Sequence, residues 1–253
     1  MDILLITAIT ALGVGLSTFV GALIGFLFKN ISHKATDYIL AFAGGVMLSA
    51  AFFGLIVPSF DEEKPITLIT TIIGMLVGAL VVFLADKLVP HLHRTTEEDI
   101  EPHHNGQKMN KVLLFVSAIA IHNIPEGIAA GVGFGGDDIS SAITIALGIA
   151  LQNIPEGMVI IAPMLAVGIS KRKTLLIAAL TGLAEVFGTF IGYFATEISE
   201  GILPFALAFA GGTMLYIVSD EMIPETHAHG NAGGSTFALL GGFILMMIVD
   251  VLI

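Results

Sequence analysis

The chain has 253 residues, of which 55% are hydrophobic and only 12% charged, with a mean hydropathy of +0.94. A soluble domain carries about twice that share of charge, so a water-soluble globule is excluded and any function must be built inside lipid. The absence of cysteine rules out disulfides, thiolate nucleophiles and cysteine zinc sites, and a formal net charge of −11 argues against a nucleic-acid partner.

A membrane-spanning helix needs about 20 mostly apolar residues. Eight stretches qualify in chain order: 3–28, 38–58, 66–89, 112–134, 141–168, 174–196, 202–224 and 236–253. The first has no basic leader and runs too long for a signal peptide, so it reads as a retained helix. The expected fold is therefore an all-α integral membrane protein, with residues 1–253 forming one transmembrane domain. Its connections are short except for 90–111, a polar tract holding His91, His93, His103 and His104. Glycines one turn apart, as in Gly21/Gly25, Gly74/Gly78 and Gly188/Gly192, point to close helix packing. No Gly-x-x-x-x-Gly-Lys-Ser/Thr segment is present to drive an ATP motor.

Basic residues set the orientation. Lys29, Lys34, Lys87, Arg94, Lys108, Lys111, Lys171, Arg172 and Lys173 fall in or beside the first, third and fifth loops, and only Lys64 lies on the other side. This bias places those loops in the cytoplasm and both termini outside. It also puts every histidine except His122 in a cytoplasmic loop.

An internal match is visible between Phe42-Ala-Gly-Gly-Val-Met-Leu48 and Phe209-Ala-Gly-Gly-Thr-Met-Leu215, in spans two and seven. Each of these spans is expected to end at a proline, Pro58 or Pro224. Spans an odd number apart run in opposite directions, so spans 1–3 and 6–8 read as inverted repeats flanking 4 and 5. That is a secondary-transporter architecture, with its site near the midplane.

The central spans carry the chemistry. Span four contains His122-Asn123-Ile124-Pro125-Glu126-Gly127 and span five contains Gln152-Asn153-Ile154-Pro155-Glu156-Gly157. The first and fifth residues of each motif share one helix face and can close on one ion. The asparagines face about 100° around and can serve a neighbouring site. Each proline removes a backbone donor, so a bend and a freed carbonyl are expected near the ligands. A single buried amide is most simply a packing element. A glutamate at mid-membrane costs several kcal/mol unless paired, protonated or metal-bound, and no lysine or arginine lies in the core of any span. Glu185 of span six adds a third carboxylate. Oxygen and imidazole without sulfur suit Zn²⁺, Fe²⁺, Mn²⁺, Co²⁺, Ni²⁺ or Cd²⁺, and two ions bridged by Glu126 and Glu156 would use the whole set.

On these paired motifs, the eight spans and the histidine-bearing third loop, the chain resembles the ZIP (Zrt-, Irt-like protein) metal transporters over nearly its whole length. It is most like the bacterial branch termed GufA-like. The resemblance implies a 3+2+3 helix bundle with a binuclear centre on helices 4 and 5. By that reading His122, Glu126, Gln152 and Glu156 form the first site. Asn123, Asn153 and Glu185, with the bridging Glu126 and Glu156, form the second. The family often has histidine where this chain has Gln152, a weaker ligand for soft ions, which fits a site tuned for release. Resemblance also puts Met47, Ser49, Asp220 and Glu221 along the metal path. Core packing is an equal reading for Met47. Asp86 beside Lys87 reads as an exposed ion pair, and Asp137 and Asp138 as either a cation-attracting or a solvated turn.

The function expected is import of divalent transition metal into the cytoplasm by alternating access, chiefly zinc and otherwise cadmium, iron or manganese. The metal is cargo, no catalytic cofactor is expected, and the chain is not an enzyme. The setting is a plasma membrane, here a bacterial inner membrane, with lipid as partner and a homodimer as the candidate assembly. A di-metal intramembrane hydrolase and a metal-selective channel are the rival readings. Against the hydrolase, so many ligands leave little room for a substrate and an open coordination position.

Overall fold

The computed structural model describes residues 2–27, 32–60, 65–88, 122–136, 138–166, 169–198 and 200–252. Every regular element among them is helical: α1 (Ile3–Leu27), α2 (His33–Ser49), α3 (Pro65–Leu88), α4 (122–132), α5 (Ile139–Ala166), α6 (Lys171–Ile198), α7 (Leu203–Ile217), α8 (Ile223–His227) and α9 (Ala232–Leu252). Seven helices among the described residues are long and apolar enough to cross a membrane, which makes this an integral membrane protein. The stretch 112–121, the His91–His104 tract and Asp137 lie outside the described residues, as does the Asp86 side chain.

The bundle is built with small residues inside and large ones outside. On α1 the buried stripe is Thr7, Ala11, Val14, Gly15, Thr18, Gly21, Ala22 and Gly25, while Leu5, Ile9, Leu12, Leu16 and Leu27 are exposed. Water would reject such a surface, whereas lipid tails accept it and leave close van der Waals packing to hold the helices together. Helix α1 packs on α5 and α6, α2 on α9 and α5, and α3 on α7.

These contacts recur in pairs, with one partner in each pair 167 residues from its counterpart. A Cβ at Gly45 of α2 would strike the Leu239 carbonyl of α9, and one at Gly212 of α7 would strike the Met75 carbonyl of α3. Gly21 of α1 meets the Ile154 carbonyl in the α5 motif, and Gly188 of α6 meets the Ile124 carbonyl in the α4 motif. Gly157 meets the backbone of Thr18, and Gly127 meets that of Glu185. Only a residue without a Cβ permits such backbone approach.

Several boundaries differ from the sequence expectation for local reasons. Helix α2 starts at His33, five residues before the expected 38, because the Ser32 hydroxyl caps it by accepting the Ala35 N–H at 3.2 Å. Pro58 stands one residue from the end of its span, at Ser59, as expected, whereas Pro224 does not close its own. Pro58 sits in the 3₁₀ turn Val57–Ser59, and the helix containing Pro224 runs on to His227. Each proline follows a widened π-helical segment, Ala50–Ile56 or Val218–Met222, by two residues. Proline withholds the N–H that would close the preceding turn, and a looser turn accommodates the loss. Pro125 and Pro155 interrupt neither α4 nor α5 in the helix assignment. The Asp138 carboxylate accepts the Ser141 N–H at 3.2 Å and caps α5, so this residue is part of a solvated turn.

Candidate metal site

Helices α4, α5 and α6 bring the two motifs and Glu185 together, and α1 closes the group from the other side. Asn123, Glu126, Gln152, Asn153 and Glu185 are essentially inaccessible to solvent. His122 is buried as well, and Glu156 is half-buried. Gln152 Nε2 donates to Glu126 Oε1 at 2.7 Å, which ties the two motifs to each other. His122 Nε2 lies 3.0 Å from Glu221 Oε1, so the π-helical segment of α7 delivers its carboxylate to the imidazole.

Glu185 is gripped by three donors. Asn123 Nδ2 donates to its Oε1 at 2.7 Å and Asn153 Nδ2 to its Oε2 at 2.5 Å. The Thr18 hydroxyl of α1 adds a third bond, to Oε1 at 2.6 Å. Each asparagine also donates to a backbone carbonyl, Asn123 to Thr181 at 3.2 Å and Asn153 to Val14 at 3.4 Å. Val14 and Thr181 are again 167 residues apart, as are Thr18 and Glu185.

The electrostatic character of the site lies in what is left over. The buried side-chain atoms left without a partner, among the described residues, are Ser49 Oγ, Asn123 Oδ1, Glu126 Oε2, Gln152 Oε1 and Asn153 Oδ1, whereas Glu221 Oε1 faces the His122 imidazole. Every one is an oxygen. Four of the five belong to the side chains just described. An orphaned buried acceptor costs about 1–3 kcal/mol, and a cluster of them is stabilised by donors or by a cation. Oxygens beside one imidazole are a donor set for a divalent transition metal. Among the described residues no group of three or more His, Cys, Asp or Glu side chains is arranged to hold a metal.

The weaker sequence candidates separate. Glu221 reaches the site and Asp220 is exposed. Met47 is packed in the apolar core with Val46, Met214 and Met222, and Ser49 is buried in the same helix with its hydroxyl unbonded. Sequence reasoning missed Thr18. Its signal was available in the offset of 167, since Thr18 stands where the other half of the chain has Glu185. It also missed a polar knot at the α2 start. There the buried Asp37 lies 3.0 Å from His229 Nδ1 and accepts from Asn231 Nδ2 at 3.0 Å. His33 stacks on the His229 ring with centroids 5.3 Å apart.

Comparison with known proteins places this geometry. A family profile described as "ZIP Zinc transporter" matches residues 93–250. "Zinc transporter GufA" of Myxococcus xanthus is 35% identical over 248 residues, covering 96% of both chains. "Zinc transporter ZIPB" of Bordetella bronchiseptica is 34% identical over 252 residues, covering 92% of this chain and 77% of its own. "Zinc transporter ZIP11" of Homo sapiens is 29% identical over 318 residues, covering 92% and 93%. With identity at this level over almost its whole length, the chain belongs to the ZIP family, among relatives of the bacterial branch.

Proposed function

We propose that this protein carries divalent transition-metal ions, chiefly zinc, into the cytoplasm by alternating access through a binuclear site between α4 and α5. The observation that carries this reading is the set of buried oxygens lacking donors beside His122. Every described lysine and arginine is instead exposed at a helix end. Relatives named zinc transporters support the same cargo. Cadmium, iron and manganese suit the same donors.

His122, Glu126, Gln152 and Glu156 make the first site in this proposal. Asn123, Asn153 and Glu185 make the second, with Glu126 and Glu156 between the two. Glu221 is the nearest pathway residue, with Ser49, Asp220 and Met47 further along. The helices form a 3+2+3 bundle in which α1–α3 and α6–α9 are inverted repeats, a reading supported by the paired glycine contacts of α1 with α6 and of α2 with α7 at positions 167 residues apart. The nine-to-one division of basic residues favours termini on the outside. The loop 90–111 offers its four histidines to ions that have left the site. No step of this cycle requires covalent catalysis, so the chain works as a carrier and not as an enzyme.

Purified protein in liposomes tests this directly. Zinc flux is expected to be saturable and independent of ATP. A flux that never saturates would replace the carrier by a channel, and no flux would overturn transport altogether.

Gln152 tunes the cycle. Neutral imidazole holds Zn²⁺ more strongly than an amide oxygen does. Gln152→His is therefore expected to lower the half-saturating zinc concentration while lowering, or at best preserving, the maximal flux. Imidazole binds metal only when deprotonated, so the variant gains its extra affinity above about pH 6.5 and loses it below. Isotope uptake across pH and zinc concentration reads both effects. Identical affinity and pH dependence in the two proteins would remove Gln152 from the ligand set.

A further inference from the structure

We infer that the outer side of α6 is a site for an anionic phospholipid, whose headgroup Arg172 and Lys173 hold while its chains lie along Leu176, Leu180 and Phe187. The site faces lipid on the outside of the bundle and is separate from the proposed metal path.

Successive residues of an α-helix turn by about 100°. On that count Leu176, Leu180, Leu183, Phe187, Ile191 and Phe194 share one stripe of α6, and all six are exposed. Glu185 falls on the opposite side, where it is fully buried. The stripe is about 27 Å long at a rise of 1.5 Å per residue, close to the 30 Å or so of a bilayer's hydrocarbon core. Leu176 therefore marks the depth at which acyl chains give way to headgroups. Arg172 and Lys173 stand one turn before it and flank the stripe, about 40° to one side and about 60° to the other. Both are exposed. Lys171 is exposed as well but falls about 140° away from the stripe.

Among the described residues nothing answers these two charges. The first turn of α6 holds no acid, and the ion pairs join His122 with Glu221 and His229 with Asp37. Lys34 and Lys87, the described lysines outside α6, each stand over a ring, Tyr38 at 5.7 Å and Phe83 at 4.3 Å. With a formal net charge of −11 the whole chain is repelled by an anionic surface. Attraction has to come from a local patch, within the ~10 Å over which a charge is felt in salt. The far end of the stripe has the other sign, since exposed Glu197 follows Phe194 by one turn. An anionic headgroup is thus held in one leaflet only, at the Arg172 end. That leaflet is cytoplasmic in the orientation proposed above, where anionic lipids are plentiful. A phospholipid uses both the cations and the apolar stripe they flank, whereas free phosphate uses only the cations. Bound there, the lipid ties the helix that carries Glu185 to the membrane surface.

The chain has no tryptophan, so Leu176→Trp places a single reporter on the stripe. Full-length protein carrying it is reconstituted into vesicles of phosphatidylcholine and phosphatidylglycerol with matched chains, one or the other brominated. Bromine quenches only an indole that it touches. Each lysine or arginine at an anionic surface is worth about fivefold in affinity. Brominated phosphatidylglycerol is therefore expected to quench with a preference of up to about thirtyfold over its share of the bilayer. Arg172→Gln combined with Lys173→Gln should bring that preference close to one, and Lys171→Gln should keep most of it. Phe194→Trp, used in place of Leu176→Trp, should report no preference at the other end of the stripe. Equal quenching by the two lipids at the Leu176 position would overturn the inference, as would a preference that survives the double variant. An equal loss in Lys171→Gln would replace the site by diffuse surface charge. Displacement of the lipid by inorganic phosphate would make the ligand a free anion and overturn the assignment too. Should Leu176→Trp fail to insert, Leu180→Trp reads the same stripe one turn deeper.

Discussion

Replacing Glu126 with alanine is expected to abolish zinc uptake. The side chain is 1% exposed, binds Gln152 through Oε1 and leaves Oε2 without a partner. Alanine removes the oxygens proposed to touch both ions and strands the Gln152 amide that Oε1 held. Each loss acts on the same site, so the effects compound instead of adding. Asn123→Ala removes one neutral oxygen from the second site and is expected to cost less. Isotope uptake into liposomes measures the rate. Thermal unfolding with and without zinc measures binding, because a ligand that binds only the folded state raises the midpoint. That rise should vanish in Glu126→Ala. Near-normal uptake by the variant would place the cargo elsewhere in the bundle.

Gly157→Val is expected to cost the fold itself. The added side chain would be driven into the Thr18 carbonyl and the Ala22 amide of α1, both backbone atoms that cannot rotate aside. Overpacking a well-filled core costs about 1–3 kcal/mol when side chains can yield, and here they cannot, so a larger loss is expected. Gly127→Val should behave alike, because its side chain would meet the Glu185 backbone of α6. Gly241→Val is the control, with nothing within 4 Å of the new Cβ. Yield of monodisperse protein and its thermal midpoint report the difference. Equal midpoints for Gly157→Val and Gly241→Val would mean that α1 and α5 do not approach so closely.

Much of the helical layout was legible because lipid imposes a single rule on every span. About 20 apolar residues, bounded by charge, fix a helix to within a few residues. The errors occurred where a local bond outweighed hydropathy. Ser32 extended α2 through a polar turn that hydropathy alone assigns to a loop, and Pro224 widened its helix without ending it. Glu126 bonds Gln152 and Glu185 bonds the two asparagines, so the two motifs and the third carboxylate that the sequence grouped together are in contact. Spacing within one motif could not supply the partners from outside it. Thr18 lies 167 residues from the glutamate it binds, and Glu221 reaches His122 from the π-helical segment before Pro224. Asp37 and His229 are 192 residues apart, and each alone reads as a helix-end charge.

The recurrence of contacts at an offset of 167 also bears on resting populations. On the inverted-repeat reading, two identical halves would make the inward-open and outward-open forms the same structure with its halves exchanged. Without a gradient they would be equally occupied. Sequence differences between equivalent positions are then what tilts that balance, about 1.4 kcal/mol for each tenfold ratio. Thr18 opposite Glu185 is such a difference, and the two meet directly, the Thr18 hydroxyl of one half donating to the carboxylate of the other. The direction of zinc movement follows the gradient, but the side on which the empty carrier waits is written in the mismatches between its two halves.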